Sequence, residues 1–199
     1  MNQVPKDEFL KSLKECDVCL FKGRTFFAKL QYMGAKKEGI DDKASHSAMI
    51  KKAPHILHEA NGFKVVGDKD LTDYFSKHHK IYFFRYTRLN NNQRYQILNG
   101  MGLLEEGTHY SWGGIWEKAK EFFANLRGKD YLPKDKSGVF CSEDTSDLIR
   151  TPIPEIPYLD EQDFPSHQIS PSKQLDWMLN EYHGWKLVAV YDKGLFYLS

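Results

Sequence analysis

The chain is short of several things, and each shortage narrows its class. It has three cysteines, Cys16, Cys19 and Cys141, in 199 residues. An odd, low count argues against a disulfide framework and suits a reducing compartment. It has no excess of either charge, with 28 Lys and Arg against 27 Asp and Glu. A net charge of +1 gives no reason to expect a nucleic-acid or anionic-membrane partner. No stretch reaches the roughly 20 apolar residues needed to cross a bilayer. The opening MNQVPKDEFLKSLKECD lacks an apolar core of signal-peptide length, so the expected location is cytoplasmic. There is no internal repeat and no regular strand–helix alternation, which disfavours a doubly wound sheet.

What is present fits one packed domain spanning residues 1–199. Apolar residues make up 41% and aromatics 14% of the chain, enough for a substantial core. KDEFLKSLK at the start reads as a short amphipathic helix, and CDVCLFKG as a strand ending at Gly23. RTFFAKLQYMG has apolar residues at helical spacing. Two extended segments follow, SHSAMIKK and APHILHEANG, then KIYFFRYT as a strong strand candidate. Residues 91–105 and 114–127 read as helices, SKQLDWMLNEYHG as a last helix, and WKLVAVYDKGLFYLS as a closing hairpin. About 151–171 holds five of the eight prolines, so it reads as an extended surface excursion. The expected class is α+β.

Cysteine and histidine carry the chemical interest. Cys16 and Cys19 form a C-x-x-C, but no second such pair or spaced histidine pair completes a zinc site. They read as ordinary strand residues, and neither a metal nor a cofactor is expected. Cys141, in GVFCSED, precedes residues suited to a helix N-terminus. A thiol there meets the positive end of the helix dipole and unsatisfied N–H groups, both of which favour thiolate.

The two extended segments form a hairpin if residues 51–54 are its turn. In that register Ile50 faces His55, Ala48 faces Leu57 and His46 faces Glu59. His46 and Glu59 then share a face within hydrogen-bond reach, while His58 points the other way. A one-residue slip would separate the pair.

The order of these motifs resembles the permuted papain-fold hydrolases, the NlpC-like group that includes YiiX-type proteins. The group's Gly-Asp-(Val/Ile)-Leu-Leu-Phe strand is similar to Cys16-Asp17-Val18-Cys19-Leu20-Phe21. Its Ser-His strand resembles Ser45-His46-Ser47-Ala48-Met49-Ile50, and its Val-Leu-Glu-Ala strand Ile56-Leu57-His58-Glu59-Ala60. The Phe-Cys-Ser-Glu helix start appears at Phe140–Glu143, a Gly-x-x-Tyr element at Gly107–Tyr110, and a Ser-Pro motif at Ser170-Pro171.

The resemblance implies a circularly permuted papain-like fold, with an antiparallel sheet or small barrel and packed helices. It also implies a cysteine hydrolase cleaving an amide bond through a thioester. Cys141 would be the nucleophile, His46 the general base and acid, and Glu59 its orienter. Asp17, Ser45, Tyr110 and Trp112 are expected to line the substrate site. The expected partner is a peptide, an amino-acid amide or an acyl-type small molecule. A silent binding protein on the same scaffold, and an acyltransferase or thioesterase with the same triad, stay open. Two departures stand out: Cys16 in place of the group's Gly, and the polar DTSDLIR after Cys141, where the group's helix is apolar.

Overall fold

The computed structural model describes residues 1–37, 39–41, 43–60, 66–76, 80–107, 141–150, 152–153, 170–180 and 184–199. Eight strands form one sheet: β1 (Asn2–Val4), β2 (Val18–Lys22), β3 (His46–Lys52), β4 (Ile56–Glu59), β5 (Gly67–Asp70), β6 (Lys80–Tyr86), β7 (Trp185–Asp192) and β8 (Leu195–Leu198). Their order across the sheet is β1-β8-β7-β6-β2-β3-β4-β5. All neighbouring strands run antiparallel. The helices are α1 (Lys6–Ser12), α2 (Phe26–Lys37), α3 (Asn91–Gly107), α4 (Cys141–Arg150) and α5 (Pro171–Leu179). The fold is α+β, a single antiparallel sheet with helices packed on it.

Both faces of the sheet are covered, which explains the uninterrupted apolar run at its centre. Alternation along β2 sends Val18 and Leu20 to one side, with Met49, Phe84, Leu148, Ile149 and Leu175. It sends Cys19 and Phe21 to the other, with Phe9, Ala48, Ile50, Leu57 and Phe83. The first side is roofed by α4 and α5, and the second by α1 and a short 3-10 turn, Leu71–Tyr74. Phe9 of α1 is fully buried on that side.

The same alternation settles the C-x-x-C. Cys16 belongs to the first cluster and Cys19 to the second, so the two thiols do not converge. Both are free, and burial pushes the Cys16 thiol up to about 12. Cys16 also has φ of 67°, the left-handed region that glycine enters without strain. That is the position where the resembling group carries glycine.

Local signals set the helix ends. Ser170 caps α5, its Oγ accepting from the Lys173 N–H at 3.2 Å, and Pro171 occupies the first turn. The Ser-Pro motif is thus a helix start. Sequence periodicity did not mark β1, a three-residue edge strand held by pairing Asn2–Val4 with Phe196–Leu198. The expected helix at 114–127 and most of the proline-rich excursion lie outside the described residues.

Candidate active site

Three elements converge at one end of the sheet. His46 is the first residue of β3, paired with Phe21 on β2. Glu59 is the last residue of β4, and Cys141 the first of α4. The His46 Nε2 lies 2.6 Å from Glu59 Oε2. Tyr74, at the end of the 3-10 turn, donates its hydroxyl to Glu59 Oε1. Both carboxylate oxygens are therefore held, as a carboxylate only 1% exposed requires. The Phe21 ring packs against the imidazole at 5.2 Å, and the Tyr74 ring lies nearly parallel to it at 6.5 Å.

Cys141 lies close enough to the imidazole to act on it through charge and a side-chain hydrogen bond. With Nε2 committed to Glu59, Nδ1 is the nitrogen left to face sulfur. Burial, the largest single influence, pulls the His46 pKa down. The charges of Cys141 and Glu59, with their hydrogen bonds, together outweigh it and raise the value from 6.5 to about 10. The groups around the ring thus favour its protonated form. Cys141 itself is buried, and its position at the start of α4 puts first-turn N–H groups beside the sulfur without partners inside the helix.

The hairpin register differs from the expected one. Met49 pairs with His58 and Ile50 with Leu57, and an irregularity follows between Ile50 and Lys52. The expected register is displaced by two residues, because the turn takes in residues 53–55 rather than 51–54. An even displacement keeps every side chain on its face. Glu59 then lies diagonally across from His46, within reach of two extended side chains, and the 2.6 Å contact forms all the same.

The four expected lining residues fare differently. Ser45 borders the site. Its N–H donates to Phe21 O at 2.8 Å and its Oγ accepts from Gly23 N–H at 3.0 Å, fixing the end of β2 beside His46. Asp17 lies elsewhere. It stands four positions before Phe21, the register partner of His46, which is about 13 Å along a strand. Arg85 Nε and Nη2 donate to its two oxygens at 2.8 and 2.7 Å, and Lys14 N–H donates at 2.8 Å. Burial pushes the Asp17 carboxyl up while those bonds pull it down. Asp17 is a buried strut between α1, β2 and β6, and not a lining residue. Tyr110 and Trp112 lie outside the described residues.

Sequence reasoning missed what lies beneath Cys141. The polar run after it is buried: Ser142, Asp144, Thr145 and Ser146 are each at most 3% exposed. Thr145 Oγ1 donates to Cys141 O at 2.8 Å, so the Ser47 hydroxyl, 2.7 Å away, donates to Thr145. Gln174 of α5 donates through Nε2 to Ser142 O at 3.0 Å, Thr145 Oγ1 at 3.2 Å and Ser146 Oγ at 2.8 Å. Ser172 bonds both the N–H and C=O of Ala44, two residues before His46. The residues that set this chain apart from its resembling group form a polar seam joining β3, α4 and α5. Tyr74 was also missed; nothing in DLTDYFSKH distinguishes it from a core aromatic.

No protein-family model matches the chain, and no curated protein matches it by sequence. Among solved structures, the metalloprotein YiiX from Escherichia coli O157:H7 is similar, with a TM-score of 0.50 and 14% identity. The match covers 72% of this chain and 68% of that one. The chain therefore shares the α+β fold of YiiX. No group of three or more His, Cys, Asp or Glu among the described residues could hold a metal ion. The donor atoms at the His46 site are already engaged with one another, so these residues do not fit a metal centre. No helix among the described residues is long and apolar enough to cross a membrane.

Proposed function

We propose that the chain is a cysteine hydrolase that cleaves an amide bond through a thioester acyl-enzyme. One observation carries the reading: Cys141 opens a helix directly against His46, whose far nitrogen is fixed by the doubly held Glu59. The Cys141 sulfur attacks the amide carbonyl carbon, and the electron pair of the C=O moves to oxygen. First-turn N–H groups of α4, that of Cys141 among them, stabilise that oxyanion. The C–N bond then breaks as His46 gives its proton to the departing nitrogen.

Electrostatics explains how one histidine serves twice. The charge on Cys141 is the strongest influence raising the His46 pKa. Acylation removes that charge, so the imidazole holds its proton less tightly once it has delivered it. The neutral ring then takes a proton from water, whose oxygen attacks the thioester. The C–S bond breaks and the ion pair returns. Glu59 keeps the ring oriented throughout, and Tyr74 keeps Glu59 in place.

The substrate follows by analogy with the fold: a peptide or an amino-acid amide. Iodoacetamide labelling at pH 6, read by peptide mass spectrometry, tests the nucleophile. Cys141 should alkylate at least tenfold faster than glutathione and lose that advantage in His46→Ala. Alkylation no faster than glutathione would sink the reading. A panel of peptide and amide substrates, with trapping of the acyl-enzyme by intact mass, then tests the reaction. An acyl-enzyme that amines or alcohols discharge faster than water would redirect the assignment to acyl transfer.

A further inference from the structure

A second histidine–carboxylate pair lies directly under the site, and the proposed mechanism does not use it. His58 Nε2 is 3.2 Å from Asp144 Oδ2 and 3.4 Å from Oδ1. Both side chains are 0% exposed. Its two members occupy telling places. His58 immediately precedes Glu59 on β4 and faces the opposite side of the sheet. Asp144 sits one turn after Cys141 on α4, where residues three apart are neighbours. The pair therefore ties the strand that carries Glu59 to the helix that carries Cys141.

A carboxylate sealed from water needs a compensating charge or strong donors. Among the described residues Asp144 Oδ2 has no hydrogen-bond partner, and the His58 imidazole lies within ion-pair distance of it. Other charged residues surround the pair. Glu59 is on the far face with His46 and Tyr74, and Asp68, the register partner of His58 on β5, is half exposed and bonds Lys51 at 2.9 Å. Asp147 and Arg150, farther along α4, approach each other at 4.0 Å. Uncompensated, Asp144 would also set a negative charge one turn from the Cys141 sulfur, against the ion pair that the reaction needs.

We propose that His58 and Asp144 form a charge-compensated clamp that holds the first turn of α4 against β4, and so holds Cys141 opposite His46. Both are positioning residues, since neither touches the reacting atoms. The clamp deepens the hydrolase reading and rests on it for its purpose. The polar seam of Ser47, Thr145 and Gln174 fixes the same turn sideways toward β3 and α5. The clamp fixes it against β4.

The test uses the full chain and three variants: His58→Gln, Asp144→Asn and the double variant. Alkylation of Cys141 at pH 6 and the melting temperature are measured for each. His58→Gln leaves a lone buried carboxylate and should slow alkylation about tenfold or more. Asp144→Asn keeps a hydrogen-bonded neutral pair and should stay within about threefold of the native chain. The double variant should recover most of what His58→Gln loses.

A pair with only a packing role predicts otherwise. Melting temperatures would fall while alkylation of His58→Gln stayed at the native rate, and that result overturns the clamp. So does a double variant as slow as His58→Gln. If His58→Gln does not fold, the double variant decides: near-native alkylation supports the clamp, and a free-thiol rate overturns it. Failure of the double variant to fold also counts against it, because a neutral hydrogen-bonded pair satisfies the same site. The two readings fail separately. Absent substrate turnover with native alkylation still fast removes the hydrolase and leaves the clamp, whereas equal rates across the variants remove the clamp alone.

Discussion

Residues 58 and 59 are neighbours on one strand, yet they serve two histidine–carboxylate pairs with different surroundings. His46–Glu59 sits at the sheet end, its histidine 17% exposed and touching Cys141. His58–Asp144 is sealed at 0% exposure on both sides. The first pair has Cys141 beside its imidazole and an aromatic wall from Phe21 and Tyr74. The second has neither solvent nor a reacting atom. Identical functional groups thus take on different work because strand alternation sends them to opposite faces. Burial then decides which pair is reachable from solvent and which is sealed.

The largest effect should come from the exposed pair. His46→Ala should lower hydrolysis by on the order of 100- to 10,000-fold, and because it leaves Glu59 buried without its partner it should also lower the melting temperature below pH 6.5. An unchanged hydrolysis rate would break the contrast between the pairs. Glu59→Gln keeps the shape but removes the charge that supports the imidazolium. Its turnover should fall on the order of 100-fold, read as kcat with little change in KM.

The sealed pair should answer in stability. His58→Leu leaves the Asp144 carboxylate buried without its cation, and denaturant unfolding should show a loss of about 3–5 kcal/mol. Replacing both residues by apolar ones of similar volume should restore most of that loss. Tyr74→Phe tests the boundary between the two behaviours. It leaves Glu59 Oε1 buried without its donor, and should cost about 1–3 kcal/mol together with a modest drop in kcat.

The smallest effect is a pH dependence. The His46 pKa rises from 6.5 to about 10 in the folded chain. A raised histidine contributes stability that is fully present below about 6.5 and is lost as pH rises through about 10. The denaturant midpoint should therefore fall between pH 7 and pH 10 more in the native chain than in His46→Ala. Equal falls in the two would remove the ion pair from the account.

Much of this was legible in the residues. The apolar runs around Val18–Phe21 and Lys80–Tyr86 gave strands, and the closing hairpin followed from its turn at Asp192–Gly194. The face shared by His46 and Glu59 came from period-two alternation, which survived a register displaced by two residues. Other features left no local trace. Asp17 belongs to a motif yet bonds Arg85, 68 residues away, and that pairing appears only when β6 lies beside β2. Tyr74 reaches Glu59 because a short 3-10 turn folds back under the sheet.

The polar helix after Cys141 gives the clearest case. DTSDLIR reads as a surface pattern, because isolated Asp, Thr and Ser prefer water. Its first turn is buried because Ser47, His58 and Gln174, from distant segments, meet Thr145, Asp144 and Ser146.

The sequence alone determined the periods, the faces and the chemical inventory: one cysteine at a helix start, and a histidine and a glutamate on a common strand face. These depend on backbone geometry, which acts over a few residues. The tertiary structure alone decided which groups are paired, which are sealed from water, and which imidazole faces a sulfur. Those outcomes depend on desolvation and on charges brought together from far along the chain, and neither exists before the sheet and its helices are packed.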